Sequence, residues 1–152
     1  MQQGVDTNIQ KQREVPRLLE RSVQTSVAFY VQLSHNHTIV YARAVPYDIV
    51  SVNQGNGYDK VSHVFRAPKA GLYFFTNTVM STPGHSIKVE IEKNGVTIGK
   101  NQADTNGYES GTVSVIVQLS VHDNVWVRYP GYTKAQLAQD YNSFSGFLIS
   151  AN

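Results

Sequence analysis

The sequence predicts an antiparallel all-β domain, a sandwich or barrel of about ten short strands. Three observations carry this. From Ser26 onward apolar and polar residues alternate with a period of two, the spacing of a half-buried strand. Turn signals recur between these runs, Asn94-Gly95 foremost among them. No segment of this body repeats at the 3.6-residue period of a helix.

The strands follow in order. "AFYVQL" sets Phe29, Val31 and Leu33 on one face of a strand near 27–33. Strands near 39–43, 47–52 and 62–67 come next, and Pro68 closes the last because proline cannot donate to a sheet ladder. "PKAG" is read as a turn between two central strands, with Gly71 opening the next, 71–80. That strand, "GLYFFTNTVM", begins apolar on both faces: Leu72 and Phe74 against Tyr73 and Phe75. Such a strand belongs in the middle of a packed structure or against another chain. In "SIKVEIEKNG", near 86–93, Ile87, Val89 and Ile91 point one way and Lys88, Glu90 and Glu92 the other. Asn94-Gly95 favours a type I′ hairpin into a strand near 96–102. Strands near 112–121, 124–130 and 143–150 complete the set, the first aligning Val113, Val115, Val117, Leu119 and Val121.

Residues 1–25 differ: they are polar, rich in Gln and Arg and without aromatics, and Pro16 interrupts a loose helical spacing of Ile9, Leu19 and Val23. They read as a flexible or short helical lead-in to a globular domain over 26–152.

Composition narrows the function classes. The chain has 152 residues, 41% of them hydrophobic, with nine Tyr and six Phe, enough for a sizeable core. It has no Cys, so neither disulfides nor thiolate metal sites are available. A net charge of +2 without a Lys/Arg cluster gives no footprint for nucleic acid. No apolar run approaches the ~20 residues of a membrane span. No signal-peptide pattern follows Met1. The sequence also lacks G-x-S-x-G, H-E-x-x-H, a P-loop and a dinucleotide fingerprint, so no catalytic residues are assigned and the chain is not expected to be an enzyme.

Tyr47, Asn53, Tyr58, Phe65, Gly71, Tyr73, Phe75 and Asn77 fall on an ordered spacing. It resembles the aromatic signature of the complement C1q-like domain family. "AFYV", "EKNG", "HDNVWV" and "FSGFLI" resemble further segments of that family, so the likeness covers about residues 26–150. Tyr47 stands where Phe is usual, Asn77 where Phe or Tyr is usual, and His63 where many members carry Gly. A buried Asn77 would need a hydrogen-bond partner. The resemblance implies a ten-stranded antiparallel jelly-roll β-sandwich shared with tumour necrosis factor, secretion, and a homotrimer.

Most marked residues read as packing: Phe29, Phe65, Tyr73, Phe75, Trp126, Phe144 and Phe147 in the core or a subunit interface. Gly146 is read as permitting close backbone approach. The longest late break, "PGYTKAQLAQDYNS" (130–143), carries the candidate ligand residues Tyr132, Lys134, Asp140, Tyr141 and Asn142, with Arg128 just before it. Tyr faces stack on sugar rings and the charged and amide groups bond hydroxyls or carboxylates. His85 in "STPGHS" is a second candidate. In "DTNGYES", Asp104 and Glu109 with Asn106 offer hard oxygen ligands. In some C1q-like relatives the corresponding loop binds calcium, though only part of that acidic set occurs here. No cofactor is required, and calcium is the ion this loop suggests. His35 and His37, if extended, project to one face and could bind a soft divalent metal. Asn36-His37-Thr38 is an N-glycosylation acceptor motif for a secretory protein.

The leading expectation is a secreted, trimeric, lectin-like recognition protein of innate immunity that binds microbial or sialylated glycans. A short lead-in before one such domain resembles the molluscan members of the family. Two readings stand beside it: a calcium- or metal-binding matrix or shell-fluid protein, and a hormone-like ligand for a protein receptor. Without a G-x-y repeat the sequence offers no collagen stalk.

Overall fold

The computed structural model describes residues 26–152; the lead-in predicted over 1–25 lies outside the described residues. The first six strands are β1 (Ala28–Gln32), β2 (His37–Ile39), β3 (Ile49–Gln54), β4 (Tyr58–Asp59), β5 (Val64–Arg66) and β6 (Gly71–Met80). They are followed by β7 (Ile87–Lys93), β8 (Val96–Ala103), β9 (Ser110–Leu119), β10 (Asn124–Arg128), β11 (Ala135–Leu137) and β12 (Ser143–Ala151). Ten of them form two five-stranded sheets, β3-β1-β12-β6-β9 and β4-β5-β10-β7-β8, while β11 and β2 pair as a separate ribbon. All pairings are antiparallel, and the fold is the predicted jelly-roll sandwich.

The core is aromatic because both sheets turn their even-spaced large residues inward. Phe29 stacks on Phe65 across the sandwich at 4.9 Å and meets Phe144 edge-on at 4.9 Å. Phe75 lies 6.0 Å from Phe29 and 5.4 Å from Phe65. Each such ring removed from water contributes about 1.5–3 kcal/mol. Gly146 lets them meet: a Cβ there would come within 2.5 Å of Phe75 Cδ1 and 2.9 Å of Phe29 Cε1.

The Pro68–Gly71 stretch is a corner rather than the turn of a hairpin. β5 belongs to one sheet and β6 to the other, so the chain changes layers between them. β6 matches its predicted span, with Tyr73 and Phe75 wholly buried and Leu72 and Phe74 half-buried on the outside. The Asn94-Gly95 hairpin forms with φ of 49° and 84°, the left-handed pair a type I′ turn requires.

Three expectations change. The strand predicted at 39–43 is instead His37–Ile39: Ala42 takes a left-handed φ of 59°, and Val40 and Tyr41 are exposed. β4 and β11 are too short for any alternation to mark them. Glu92, expected to face solvent, is 4% exposed, because a bulge between Ile91 and Glu92 shifts the register.

Asn77, fully buried, finds the partners its position demands. Its Nδ2 donates to Tyr47 Oη (2.8 Å) and to the Ser143 carbonyl (2.9 Å), and its Oδ1 accepts from Asn101 Nδ2 (3.0 Å). His63 has a φ of 62°, which explains why glycine suits that position in the family it resembles.

Candidate functional site

The 130–143 loop is not free along its length. Ala135, Leu137 and Ala138 are buried, and Ala135–Leu137 pairs with His37–Ile39. Asn36 Oδ1 accepts the Gln139 backbone N–H at 2.7 Å. The loop is therefore pinned at its middle and presents two separate tips.

At the first tip, Tyr132 is 86% exposed and stacks on Tyr41, centroids 4.7 Å apart and 15° from parallel. Tyr41 sits there because the 42–45 segment runs against the end of β10: Ala42 N–H donates to the Tyr129 carbonyl (3.0 Å) and Val45 N–H to that of Val127 (2.8 Å). Tyr129 Oη donates to the Thr133 carbonyl at 2.6 Å and fixes the entry to the loop. The Arg128 guanidinium carbon lies 5.5 Å from the Tyr41 centroid, a cation–π contact. Its Nη1 also pairs with Glu92 Oε1 (3.4 Å) and Glu90 Oε2 (3.7 Å). Arg128 is thus committed to two carboxylates and acts as a support for Tyr41. Lys134, exposed, is in no ion pair among the described residues.

At the second tip, Asp140 and Tyr141 are exposed and Asn142 is buried. These three line a hollow of about 580 Å³ with Tyr30, Gln32, Thr78 and Ser143. Tyr141 holds a left-handed φ of 57°, uncommon for so large a residue. Asn142 Oδ1 accepts from Tyr47 Oη at 2.6 Å, which ties this tip to the buried Asn77 network.

His85 lies elsewhere, exposed in a tight turn closed by the Thr82–His85 bridge. That turn rests on the loop of Asp104 and Glu109: Gly84 N–H donates to the Thr105 carbonyl (3.1 Å) and Ser81 N–H to that of Glu109 (2.8 Å). Asp104 Oδ1 accepts from Thr105 N–H at 2.8 Å. Among the described residues no group of three or more His, Cys, Asp or Glu side chains is placed to hold a metal ion. His35 and His37 do stand together, ring centroids 3.9 Å apart.

The candidates of the late loop therefore divide: Arg128, Tyr132 and Lys134 belong to one tip, and Asp140, Tyr141 and Asn142 to the other. Sequence reasoning missed Tyr41, because its stacking partner is far along the chain and period-two alternation placed it in a strand. It missed the Glu90 and Glu92 contacts with Arg128 for the same reason.

The C1q domain model matches residues 28–149. The chain belongs to the C1q domain family. This C1q domain is 31% identical over 128 residues to the collagen alpha-1(X) chain of Mus musculus, covering 81% of this chain and 18% of that protein. To the complement C1q tumor necrosis factor-related protein 3 of Mus musculus it is 27% identical, covering 83% of this chain and 52% of the relative. It spans only part of the length of either. Among solved structures it resembles the globular domain of zebrafish complement 1qA protein, with TM-score 0.72, 18% identity, and coverage of 83% of this chain and 99% of that one. Murine APRIL at pH 5.0 follows the same fold, with TM-score 0.66, 12% identity and coverage of 82% and 100%. Both loop tips and the His pair lie inside the matched span. Among the described residues no helix is long and apolar enough to cross a membrane.

Proposed function

We propose that this C1q domain is a secreted, trimeric, lectin-like recognition module of innate immunity that binds microbial or sialylated glycans multivalently, with no catalytic role. The observation that carries the reading is the exposed Tyr132–Tyr41 stack beside the unpaired Lys134. A flat aromatic face takes the apolar face of a sugar ring, and a lysine ammonium meets a sugar carboxylate. Asp140 and the amides and hydroxyls around it bond sugar hydroxyls at the second tip.

The trimer is supported by an apolar row on the outer face of the first sheet. Ile116 pairs with Phe74, Phe74 with Phe147, and Ile116 and Phe147 are 66% and 47% exposed. A row like this belongs at a subunit seam. Three weak sites on one rigid body raise avidity by roughly 10²–10⁴ on a repetitive target.

A glycan array and a bacterial pull-down, run on the verified trimer with and without calcium chelator, test the reading. Binding to acidic or microbial glycans supports it; blank results on both reject it. Loss on chelation would implicate the loop of Asp104 and Glu109.

A further inference from the structure

We propose that His35 and His37 form a binding site for a borderline divalent cation, zinc above all, in which His35 is held for ligation by a Ser34–Asp48 relay. The hydrogen bonds fix the chemistry. Ser34 Oγ donates its one hydrogen to Asp48 Oδ2 at 2.6 Å. Ser34 N–H donates to Asp48 Oδ1 at 2.9 Å and locks the carboxylate in place. With its hydrogen committed, Ser34 Oγ accepts from His35 Nδ1, 2.8 Å away. The neutral His35 ring therefore carries its proton on Nδ1 and leaves a bare lone pair on Nε2. A carboxylate that orients a histidine through its other nitrogen is the outer-shell arrangement of metal-ligating imidazoles, here with a hydroxyl interposed.

His37 supplies the second ligand. Its Nε2 is buried without a hydrogen-bond partner. The two rings stand 3.9 Å apart. Two imidazoles on one tetrahedral zinc, each nitrogen at about 2.0–2.1 Å from the ion, have ring centres roughly 5 Å apart, so binding spreads the two rings by roughly 1 Å from their present spacing. Imidazole nitrogen selects zinc, copper and nickel over calcium. Because no third such side chain joins the pair among the described residues, the remaining positions go to water or to a donor on a bound target.

The test is calorimetric titration of the tag-free full chain, in its native assembly, with zinc chloride and separately calcium chloride. One zinc per chain is expected, with no calcium at this site. His35→Gln, an exposed substitution, should weaken zinc binding roughly tenfold or more with the melting temperature of the zinc-free variant unchanged, and Ser34→Ala should weaken it roughly tenfold through loss of the relay. Imidazole ¹⁵N spectra of the unmutated protein supply an independent readout: zinc should shift His35 Nε2 while Nδ1 keeps its proton. Absence of zinc binding at 1 mM zinc, a level chosen well above any specific site, overturns the proposal. So does zinc binding that His35→Gln leaves undiminished.

Discussion

The amide of Asn77 donates to the hydroxyl of Tyr47 across 2.8 Å inside the sandwich. Both residues are departures from the aromatic spacing that the sequence resembles, and here their polar groups pair with each other. The Tyr47 hydroxyl passes its own hydrogen on to Asn142 Oδ1, so the bond extends to the second loop tip. Removing the hydroxyl leaves Asn142 Oδ1 without this donor and deprives Asn77 Nδ2 of one acceptor. Tyr47→Phe should therefore destabilise the fold by about 1–3 kcal/mol, the cost of buried polar groups left unpaired. Urea unfolding at fixed protein concentration reads this; an unchanged midpoint would sink the idea.

Tyr47 also sets an alkaline limit. Burial raises its pKa above the ordinary value near 10. The unfolded phenol ionises first, so the stability contribution is complete below about pH 10 and declines as pH rises further. Tyr58 and Tyr73 shift upward as well, also by burial. Melting temperature should fall above pH 10, and less steeply in Tyr47→Phe than in the unmutated chain. Parallel curves for the two would remove Tyr47 from the account.

Gly146 is a packing requirement. A methyl at this position meets Phe75, Phe29 and the Phe74 carbonyl, all within 2.9 Å. Gly146→Ala should cost about 1–3 kcal/mol as an overpacked core. A melt within error of the unmutated protein would show that the rings yield more easily than this spacing implies.

His63 holds a left-handed backbone and a buried Nδ1 without a partner. His63→Gly removes both costs and adds backbone entropy to the unfolded chain. The balance favours glycine by roughly 0.5–1 kcal/mol. A lower unfolding midpoint in the variant contradicts this.

At the first loop tip, Tyr132→Ala should reduce glycan binding by roughly tenfold without altering the melt, because its ring lies outside the core. Arg128→Met should weaken binding less, since Arg128 acts through Tyr41. Equal effects of the two variants would place Arg128 in direct contact with the ligand instead.

Phe147→Asp puts a charge into the outer apolar row beside Phe74, centroids 5.4 Å apart. If the proposed trimer closes on this row, sedimentation velocity should show the unmutated chain as a trimer and the variant as folded monomers. Intact trimers would move the seam away from this face.

How far the molecule was legible follows from the range of each signal. β6, β7 and the Asn94-Gly95 hairpin were readable because alternation and turn chemistry are local. Ala135–Leu137 was not, since three residues cannot display a period and their pairing with His37–Ile39 spans nearly a hundred positions. The candidate loop was found by its composition, but its division into two tips depends on that pairing. Tyr41 escaped because an exposed ring stacked on a distant residue leaves no trace in spacing. The polar demand of Asn77 could be stated from its position in β6, while the identity of its partners could not.

The short β2–β11 ribbon makes the late loop a modular device. Its pairing and the Asn36–Gln139 bond anchor the segment between the two tips. The exposed residues 132–134 can then be randomised as a library while 140–141 stay constant, or the reverse. A new specificity can be selected at either tip on an unaltered scaffold.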